Sequence, residues 1–474
     1  MTGDVAASQS QRGSLRWDVG DPRLLTGLVF VASAVVLAAV RAWQIAGRGA
    51  VWWNDSADFL ASAATGLFSL ERWAGPRTAA APLVLSLAGF DPGTYVSWQA
   101  AVAVVCWAAL ATSVWRVIRG RRARWVGALA VVAFSCTAPV TMWERSVLSE
   151  SLAASTLALT LAAVLQLARG VNGRRVAAVL AASALWLLTR DSHAAVVLVA
   201  AVALALGLVF AEWQGRRSGD DRKERDRAAD ALVLLACGLL ALGALAWVAA
   251  SHGNRHVFPL RNVFQARVLP YPDRVAWFAD HGMPQAERFV GPDALAPVVG
   301  GGGLAPVTYV ADDAPDMREW LAWVARDGRG AFATWLATHP AYLVTEPLRD
   351  PERTFNNALG DRSFYAPVDQ RDLPLVTGVL VPSRWVVLAV VAAVAAWATW
   401  RHRWGSPPLL VGAASVALAV PHGLVSWHSD GMETARHLLV PALQLYLGAL
   451  LMVLGVLGGR SAPQGSTGTA APHI

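Results

Sequence analysis

Two aspartates, Asp55 and Asp58, follow the first long apolar run of the chain in the stretch "WWNDSADFLASA". A carboxylate in this position is able to take a proton from a substrate hydroxyl if it faces the compartment that holds the substrate. Aspartate also caps helix N-termini well, so a purely structural role for Asp55 competes with this one. We predict that Asp55 is a general base. Asp58, on nearly the same helix face, would orient Asp55 or raise its pKa.

Three other short segments, "MWERSVLSES", "LLTRDSHA" and "SWHSDGMETARHLL", place an arginine beside acids or histidines. A guanidinium matches the geometry of a phosphate, so these arginines are candidates for binding an anionic substrate. The predicted phosphate-binding residues are Arg145, Arg190, His193, Arg436 and His437. The predicted supporting polar residues are Glu144, Glu150, Asp191, His428 and Glu433. Exposed Arg–Glu pairs are commonly solvated contacts worth about 0–1 kcal/mol. Four segments that all carry ionisable residues, including the one with Asp55 and Asp58, nevertheless favour a shared polar site.

The composition indicates a membrane protein, because 55% of the 474 residues are hydrophobic, 15% are charged and the mean hydropathy is +0.42. We predict an all-α polytopic bundle of about ten transmembrane helices. The apolar runs are 24–43, 98–118, 125–142, 147–168, 175–189, 193–213, 231–251, 383–400, 408–427 and 438–457. The run 175–189 is short, which predicts that Arg190 lies inside the protein rather than at its outer surface.

The distribution of arginine predicts the orientation. Connections 116–124, 169–175, 212–230 and 401–403 are rich in arginine and are therefore expected to be cytoplasmic. The four acidic segments then face the extracytoplasmic side, and the basic balance needs no nucleic-acid partner. We expect a multi-pass protein of the plasma membrane whose first run is a retained anchor.

This topology divides the chain into five parts. They are a cytoplasmic tail 1–23, helices 1–7 within 24–251, an extracytoplasmic segment 252–382, helices 8–10 within 383–457, and a disordered cytoplasmic tail 458–474.

Two of the predicted outer segments are long. Segment 44–97 includes the acids, and its apolar residues from Phe59 to Leu70 recur at helical spacing, which predicts an amphipathic helix at the membrane surface. Segment 252–382 is interrupted by proline and glycine and predicts a small, mostly irregular or helical domain. The sequence has no Walker loop, no HExxH and no CxxC, so nucleotide chemistry and zinc hydrolysis have no support.

Taken in order, the acids after helix 1, "SES" at the start of helix 4, "LLTR" at the end of helix 5 and "ARHLLVPALQL" entering the last helix resemble a known pattern. They are similar to the GT-C superfamily of integral-membrane glycosyltransferases, above all the bacterial branch related to protein O-mannosyltransferases and lipid A aminoarabinose transferases. The acid pair of that family is commonly adjacent, whereas Asp55 and Asp58 are three residues apart. Phe59 stands where tyrosine is frequent, so either aspartate could be the functional one.

The resemblance implies a sugar donor carried on a polyprenyl phosphate and an extracytoplasmic acceptor, which could be a glycan, a lipid or a protein. The implied reaction is one inverting displacement, in which a carboxylate deprotonates the acceptor and a cation stabilises the leaving phosphate. The need for a divalent metal stays open, as do the sugar and the oligomeric state. The alternative is a transporter or lipid flippase, although the ionisable residues concentrate at one face of the predicted bundle.

Overall fold

The computed structural model describes residues 22–218, 223–290, 295, 298–299, 306–311, 314–349, 371–401, 404–431 and 434–458. This part of the chain is almost entirely helical. Its α-helices are α1 (Pro22–Ile45), α2 (Asn54–Ala64), α3 (Leu70–Ala74), α4 (Ala80–Leu87), α5 (Pro92–Val117), α6 (Arg121–Ser135), α7 (Ala138–Thr141), α8 (Glu150–Leu167), α9 (Gly173–Leu187), α10 (Ser192–Ser218), α11 (Lys223–His252), α12 (Val257–Arg267), α13 (Pro272–Asp280), α14 (Arg318–Trp323), α15 (Arg329–Thr338), α16 (Pro340–Arg349), α17 (Pro374–Leu380), α18 (Arg384–Trp400), α19 (Pro407–Ser429), α20 (Thr434–His437) and α21 (Leu439–Leu457).

Shorter elements connect these helices. Three 3₁₀ turns cover Met142–Arg145, Ala286–Arg288 and Pro315–Met317, and a π-helical turn covers Val324–Gly328. A two-residue hairpin pairs β1 (Val298–Val299) with β2 (Pro306–Val307) in antiparallel register.

The long helices confirm a polytopic all-α membrane protein. Among the described residues, α1, α5, α8, α10, α11, α19 and α21 are long and apolar enough to span a bilayer. Two further spans arise if each bent pair, α6 with residues 138–145 and α17 with α18, is counted once. The remaining predicted run corresponds to α9, which has only 15 residues. All ten predicted runs are therefore helical.

One predicted run is not continuous. The sequence predicts a single helix over 125–142, but α6 ends at Ser135 and the chain bends by 57° before it continues into α7. Pro139 lies in the first turn of α7, where its missing N–H costs nothing, whereas inside a longer helix it would remove a hydrogen bond.

The centre of the bundle is formed by α8 and α21, which are mostly buried, while α1, α10 and α11 keep most of their apolar surface exposed. Such apolar exposure suits contact with lipid. Two glycines let α19 and α21 approach closely, because a Cβ on Gly412 would lie 2.5 Å from the carbonyl oxygen of Gly448. Small residues at helix contacts are typical of membrane bundles.

The outer segment after α1 forms two short helices instead of the one amphipathic helix that the sequence predicts. α2 ends at Ala64, and α3 begins at Leu70 with Ser69 as its N-cap. Phe59 is buried, whereas Phe68, in the break between the two helices, is 97% exposed. The local caps outweigh the apolar spacing, since the Thr65 hydroxyl donates back to the carbonyl of Ser62.

Helices α12 to α16 form a separate subdomain with its own aromatic core. We call it the outer subdomain because the sequence predicts that its segment faces outward. The core is lined by Phe264, Phe278, Trp320, Trp323, Phe332 and Trp335. Arg267, at the end of α12, ties this subdomain to the bundle: it donates to the Trp427 carbonyl of α19 and, at 2.9 Å, to the Thr434 hydroxyl of α20. Its guanidinium also stacks over the Trp427 ring.

The topology gives a first test. In a background in which the exposed Cys237 is replaced by serine, Glu287→Cys on the outer subdomain should react with an impermeant maleimide in whole cells. Arg121→Cys, at the arginine-rich end of α6, should react only after permeabilisation, because the positive-inside rule places that end in the cytoplasm. Labelling of Arg121→Cys from outside the cell would overturn this orientation.

Candidate functional site: a chain of ion pairs beside an arginine-lined cavity

Four segments that are far apart in sequence meet in one chain of ion pairs. Arg436, in α20, donates to Asp55 of α2 (Nη1 to Oδ2, 2.7 Å) and through Nε to Glu150 of α8. Arg190, between α9 and α10, donates to the same Oε1 of Glu150. Arg77 joins the other end of the chain, where its Nη2 lies 3.0 Å from Asp55 Oδ1 and also contacts Asp58. Opposite charges thus alternate through six connected side chains.

Backbone pairing sets the position of Asp55. The Val51 N–H donates to the Arg145 carbonyl at 2.8 Å, and the Val147 N–H donates back to the Val51 carbonyl at 3.0 Å. The Ser56 hydroxyl then donates to the Val147 carbonyl. These bonds tie the start of α2 to the segment that leads into Glu150.

Asp55 is not the cap of its helix. Trp53 occupies the N-cap position of α2, and its backbone N–H donates to the Ser56 hydroxyl at 2.9 Å. The Asp55 carboxylate lies in the first turn, where its oxygens accept from Arg436 and Arg77. The capping role considered from the sequence is therefore wrong.

Arg77 and Arg190 are held near each other by a second set of bonds. The Thr78 hydroxyl donates to the Thr189 carbonyl at 3.0 Å, and the Ala80 N–H donates to the Leu188 carbonyl at 2.9 Å. The start of α4 is thereby tied to the end of α9. Since α9 has only 15 residues, the chain turns early, and Arg190 is 8% exposed, in agreement with the buried position that the short run predicts.

The pKa values of Asp55 and Asp191, which lie outside the spanning helices, shift in opposite directions. Burial alone would raise the pKa of Asp55, but the charges of Arg436 and Arg77 outweigh it and lower that pKa below its ordinary value. Burial raises the pKa of Asp191, which the charge of Arg255 only partly offsets. Asp55 is therefore ionised at neutral pH and is held by two cations.

A cavity of about 360 Å³ lies beside this chain of ion pairs. Its lining includes five arginines and three histidines: Arg77, Arg190, Arg255, Arg329, Arg436, His256, His428 and His437. Asp191 is the acid among the described lining residues, and Trp247, Ala250 and Pro259 add apolar surface. The chemistry of this lining is suited to an anionic group next to an apolar one.

The structure brings most of the predicted site residues together. Arg190, Arg436, His437, Asp191 and His428 line the cavity. Asp55, Asp58 and Glu150 bind its arginines. His437 contacts Arg190 (Nδ1 to Nη1, 3.4 Å) and Asp430 (Nε2 to Oδ2, 3.2 Å). Glu433 lies outside the described residues.

Three predicted residues neither line the cavity nor bind its arginines. Glu144 pairs with Arg41 of α1 at 3.0 Å, and Arg145 donates to the Gly49 carbonyl. Although Glu144 and Arg145 are adjacent in sequence, the 3₁₀ turn directs their side chains towards α1 and Gly49 respectively. His193 is buried within the bundle, where its ring stacks on Trp186 at 4.2 Å.

Asp191 pairs with an arginine that is remote in sequence. Its partner is Arg255, at 2.8 Å, and not the neighbouring Arg190. Arg255 further donates to the carbonyls of Gly75 and Trp73, so it connects the end of α11 to the segment after α3.

Arg77, Arg255 and Arg329 are site residues that the sequence analysis missed. All three fall in the long segments 44–97 and 252–382, which are expected to face outward and hold 3 and 12 arginines. The scarcity of arginine that singled out Arg190 and Arg436 in short segments therefore does not identify these three. Each has a partner remote in sequence: Arg77 and Asp55 are 22 residues apart, and Arg255 and Asp191 are 64 apart.

Within the described ranges, no group of three or more His, Cys, Asp or Glu side chains is arranged to hold a metal ion.

Comparisons with known proteins give a structural neighbour. No family model matches the sequence, and no curated protein matches it. Among solved structures, the chain is similar to the archaeal oligosaccharyltransferase AglB from Archaeoglobus fulgidus in complex with an inhibitory peptide and a dolichol-phosphate. The TM-score is 0.41 at 12% identity, and the match covers 90% of this chain and 50% of that one. This chain thus spans about half the length of the AglB chain.

The lowered pKa of Asp55 predicts how stability depends on pH. A carboxyl group whose pKa is lower in the folded state stabilises that state above its unfolded pKa of about 3.9, and this contribution is lost as pH falls through the folded value. The difference in thermal midpoint between the wild type and Asp55→Asn should therefore be constant from pH 7 to pH 5 and shrink below about pH 4. Thermal unfolding in detergent, followed by tryptophan fluorescence, measures it. A difference that shrinks already between pH 7 and pH 5 would contradict the lowered pKa.

Proposed function

We propose that this protein is a GT-C-type glycosyltransferase that transfers a sugar from a polyprenyl-phosphate donor to an extracytoplasmic acceptor. The observation that carries the proposal is the arginine-lined cavity, two of whose arginines, Arg77 and Arg436, hold the ionised Asp55. A leaving phosphate and an attacking hydroxyl need a cation and a carboxylate in these relative positions.

The phosphate of the donor binds at Arg190, Arg436 and His437. These side chains come from two segments and already touch, since Arg190 contacts His437 and shares Glu150 with Arg436. Glu150 fixes the two guanidiniums before substrate arrives, so little ordering is required on binding. The polyprenyl chain leaves the cavity along the apolar surface near Trp247 and Ala250, at the outer end of α11.

The sugar moves in one displacement with inversion at the anomeric carbon. The acceptor oxygen forms a bond to that carbon while the bond to the phosphate oxygen breaks. The acceptor proton passes to Asp55, and the bonding electrons leave with the phosphate, whose growing negative charge the arginines stabilise. The acceptor is a glycan, a lipid or a protein, and the reaction takes place at the outer face of the plasma membrane.

The first functional test concerns the base. Asp55→Asn keeps the shape of the side chain and its ability to accept hydrogen bonds but cannot take a proton, so transfer should fall by about 10²–10⁴-fold. Release of lipid phosphate from a radiolabelled polyprenyl-phosphate sugar measures the rate, and donor binding should persist.

The matched variant is Asp58→Asn, whose side chain is 62% exposed and, among the described residues, pairs with Arg77 alone. We expect it to transfer at close to the wild-type rate. Near-normal transfer by Asp55→Asn together with an inactive Asp58→Asn would move the base to Asp58.

The second functional test concerns the phosphate. Arg190→Lys keeps the positive charge but loses the planar fork, so donor affinity should fall about tenfold or more, as expected for a lost charge-assisted hydrogen bond. Equilibrium binding of the polyprenyl-phosphate donor measures the effect. Arg288→Lys, on the surface of the outer subdomain, serves as the control. Unchanged donor affinity and rate in a well-folded Arg190→Lys would remove this residue from the site.

A further inference from the structure

Arg329 differs from the other arginines of the cavity. Arg77, Arg190, Arg255 and Arg436 each pair with at least one carboxylate. In the described part of the chain, Arg329 has no carboxylate within ion-pair distance. Its neighbours are the Ser251 hydroxyl, at 3.3 Å from Nη1, and the ring of Trp247, whose centre lies 4.6 Å from the guanidinium carbon. Neither neighbour carries a negative charge.

His256 lines the same cavity and has an unused hydrogen-bonding atom. Its Nδ1 is buried and, among the residues described, has no hydrogen-bond partner. Burial, and next the charge of Arg329, lower the pKa of His256, so its ring is neutral at pH 7. A neutral imidazole is able to donate one hydrogen bond without adding a second positive charge.

The backbone before Arg329 is unusual as well. The π-helical turn Val324–Gly328 ends immediately before Arg329 and inserts an extra residue into the run from α14 to α15. Gly328 packs against Leu260 and Phe264 of α12, where an added Cβ would lie 3.5 Å from each side chain. Such turns are rare and commonly lie at functional sites, because they change the direction of the following side chains.

Four of the five lining arginines pair with Asp55, Asp58, Glu150 or Asp191. Among the described residues, Arg329 is the lining arginine without such a pair. Its neighbours, Ser251 and Trp247, are not members of the chain of ion pairs, so an anion at Arg190 and Arg436 does not by itself provide Arg329 with a partner.

We propose that Arg329, Ser251 and His256 form a second anion-binding subsite in this cavity, which holds a phosphate group distinct from the one at Arg190 and Arg436. The identity of that first phosphate rests on the proposed function. The second phosphate comes either from a lipid diphosphate, whose two phosphates would span both subsites, or from a separate molecule such as a phosphorylated acceptor.

Three probes distinguish these sources on the full-length protein in detergent: farnesyl phosphate, farnesyl diphosphate and inorganic phosphate, each measured by calorimetry. The variant is Arg329→Gln. Its matched control is Arg326→Gln in the same turn, an exposed arginine that is paired with Asp327. Equal thermal midpoints for both variants show that folding is intact.

If the second phosphate belongs to a lipid diphosphate, Arg329→Gln should lower the affinity for farnesyl diphosphate on the order of tenfold. The affinity for farnesyl phosphate should stay within about twofold of the wild-type value. If the second phosphate belongs to a separate molecule, both farnesyl lipids should bind to Arg329→Gln as they bind to the wild type. Inorganic phosphate should then bind to the wild type saturated with farnesyl phosphate but not to Arg329→Gln saturated with it. His256→Gln should lower the affinity for the same probe, which is farnesyl diphosphate in the first case and inorganic phosphate in the second. Arg329→Gln with all three affinities unchanged would overturn the subsite.

Failure of the proposed function gives a different result. If the wild type bound neither farnesyl lipid, the donor assignment would be wrong, and binding of inorganic phosphate to the lipid-free protein would then test the subsite by itself. Loss of that binding in Arg329→Gln but not in Arg326→Gln supports the subsite, and equal binding in both variants contradicts it.

Discussion

The site depends on one buried carboxylate. Glu150 is the first residue of α8 and is fully buried, and its Oε1 accepts from both Arg190 and Arg436. A buried charge is tolerated only when it is paired and hydrogen-bonded, and removing one partner leaves the others uncompensated at a cost of about 3–5 kcal/mol. Because Arg436 also holds Asp55, the positions of α2, α8, α20 and the turn before α10 are interdependent. The bundle supplies the low-dielectric surroundings in which these few charges act strongly on one another.

The outer subdomain is part of the same arrangement. Its α12 and α15 provide the cavity wall that contains Leu260 and Arg329, and Arg267 fixes Thr434, two residues before Arg436. A displacement of this subdomain relative to α19 would therefore change both the far wall of the cavity and the helix that carries Arg436. The segment for which the sequence predicts a mostly irregular or helical domain thus forms helices in its described residues and contributes this wall. Its aromatic side chains give it a core of its own, which makes the wall rigid.

The sequence predicted the helices well and the contacts poorly. Hydropathy finds spanning helices because every backbone polar group in lipid must be satisfied within its own segment, so all ten runs, including the short α9, were recognisable. The positive-inside rule also indicated which segments could converge. Pairings were not predictable: Glu144, Arg145 and Glu150 lie within seven residues but face different partners, whereas Arg436 and Glu150 are 286 residues apart. Sequence proximity carries little information about ion pairs when a 3₁₀ turn and a helix start intervene.

The shared use of Arg436 has a consequence for the proposed chemistry. An aspartate whose pKa is lowered by two arginines is ionised but weakly basic, and a weak base removes a hydroxyl proton inefficiently. A phosphate that binds Arg436 competes with Asp55 for the same guanidinium, so it would weaken the interaction that lowers the Asp55 pKa. Donor binding would then make Asp55 more basic at the moment when the anomeric carbon is in place. Before the donor arrives, both Asp55 oxygens are occupied by arginines, so an acceptor hydroxyl would have to displace one of them. In the proposed mechanism, this arrangement favours binding of the donor before the acceptor.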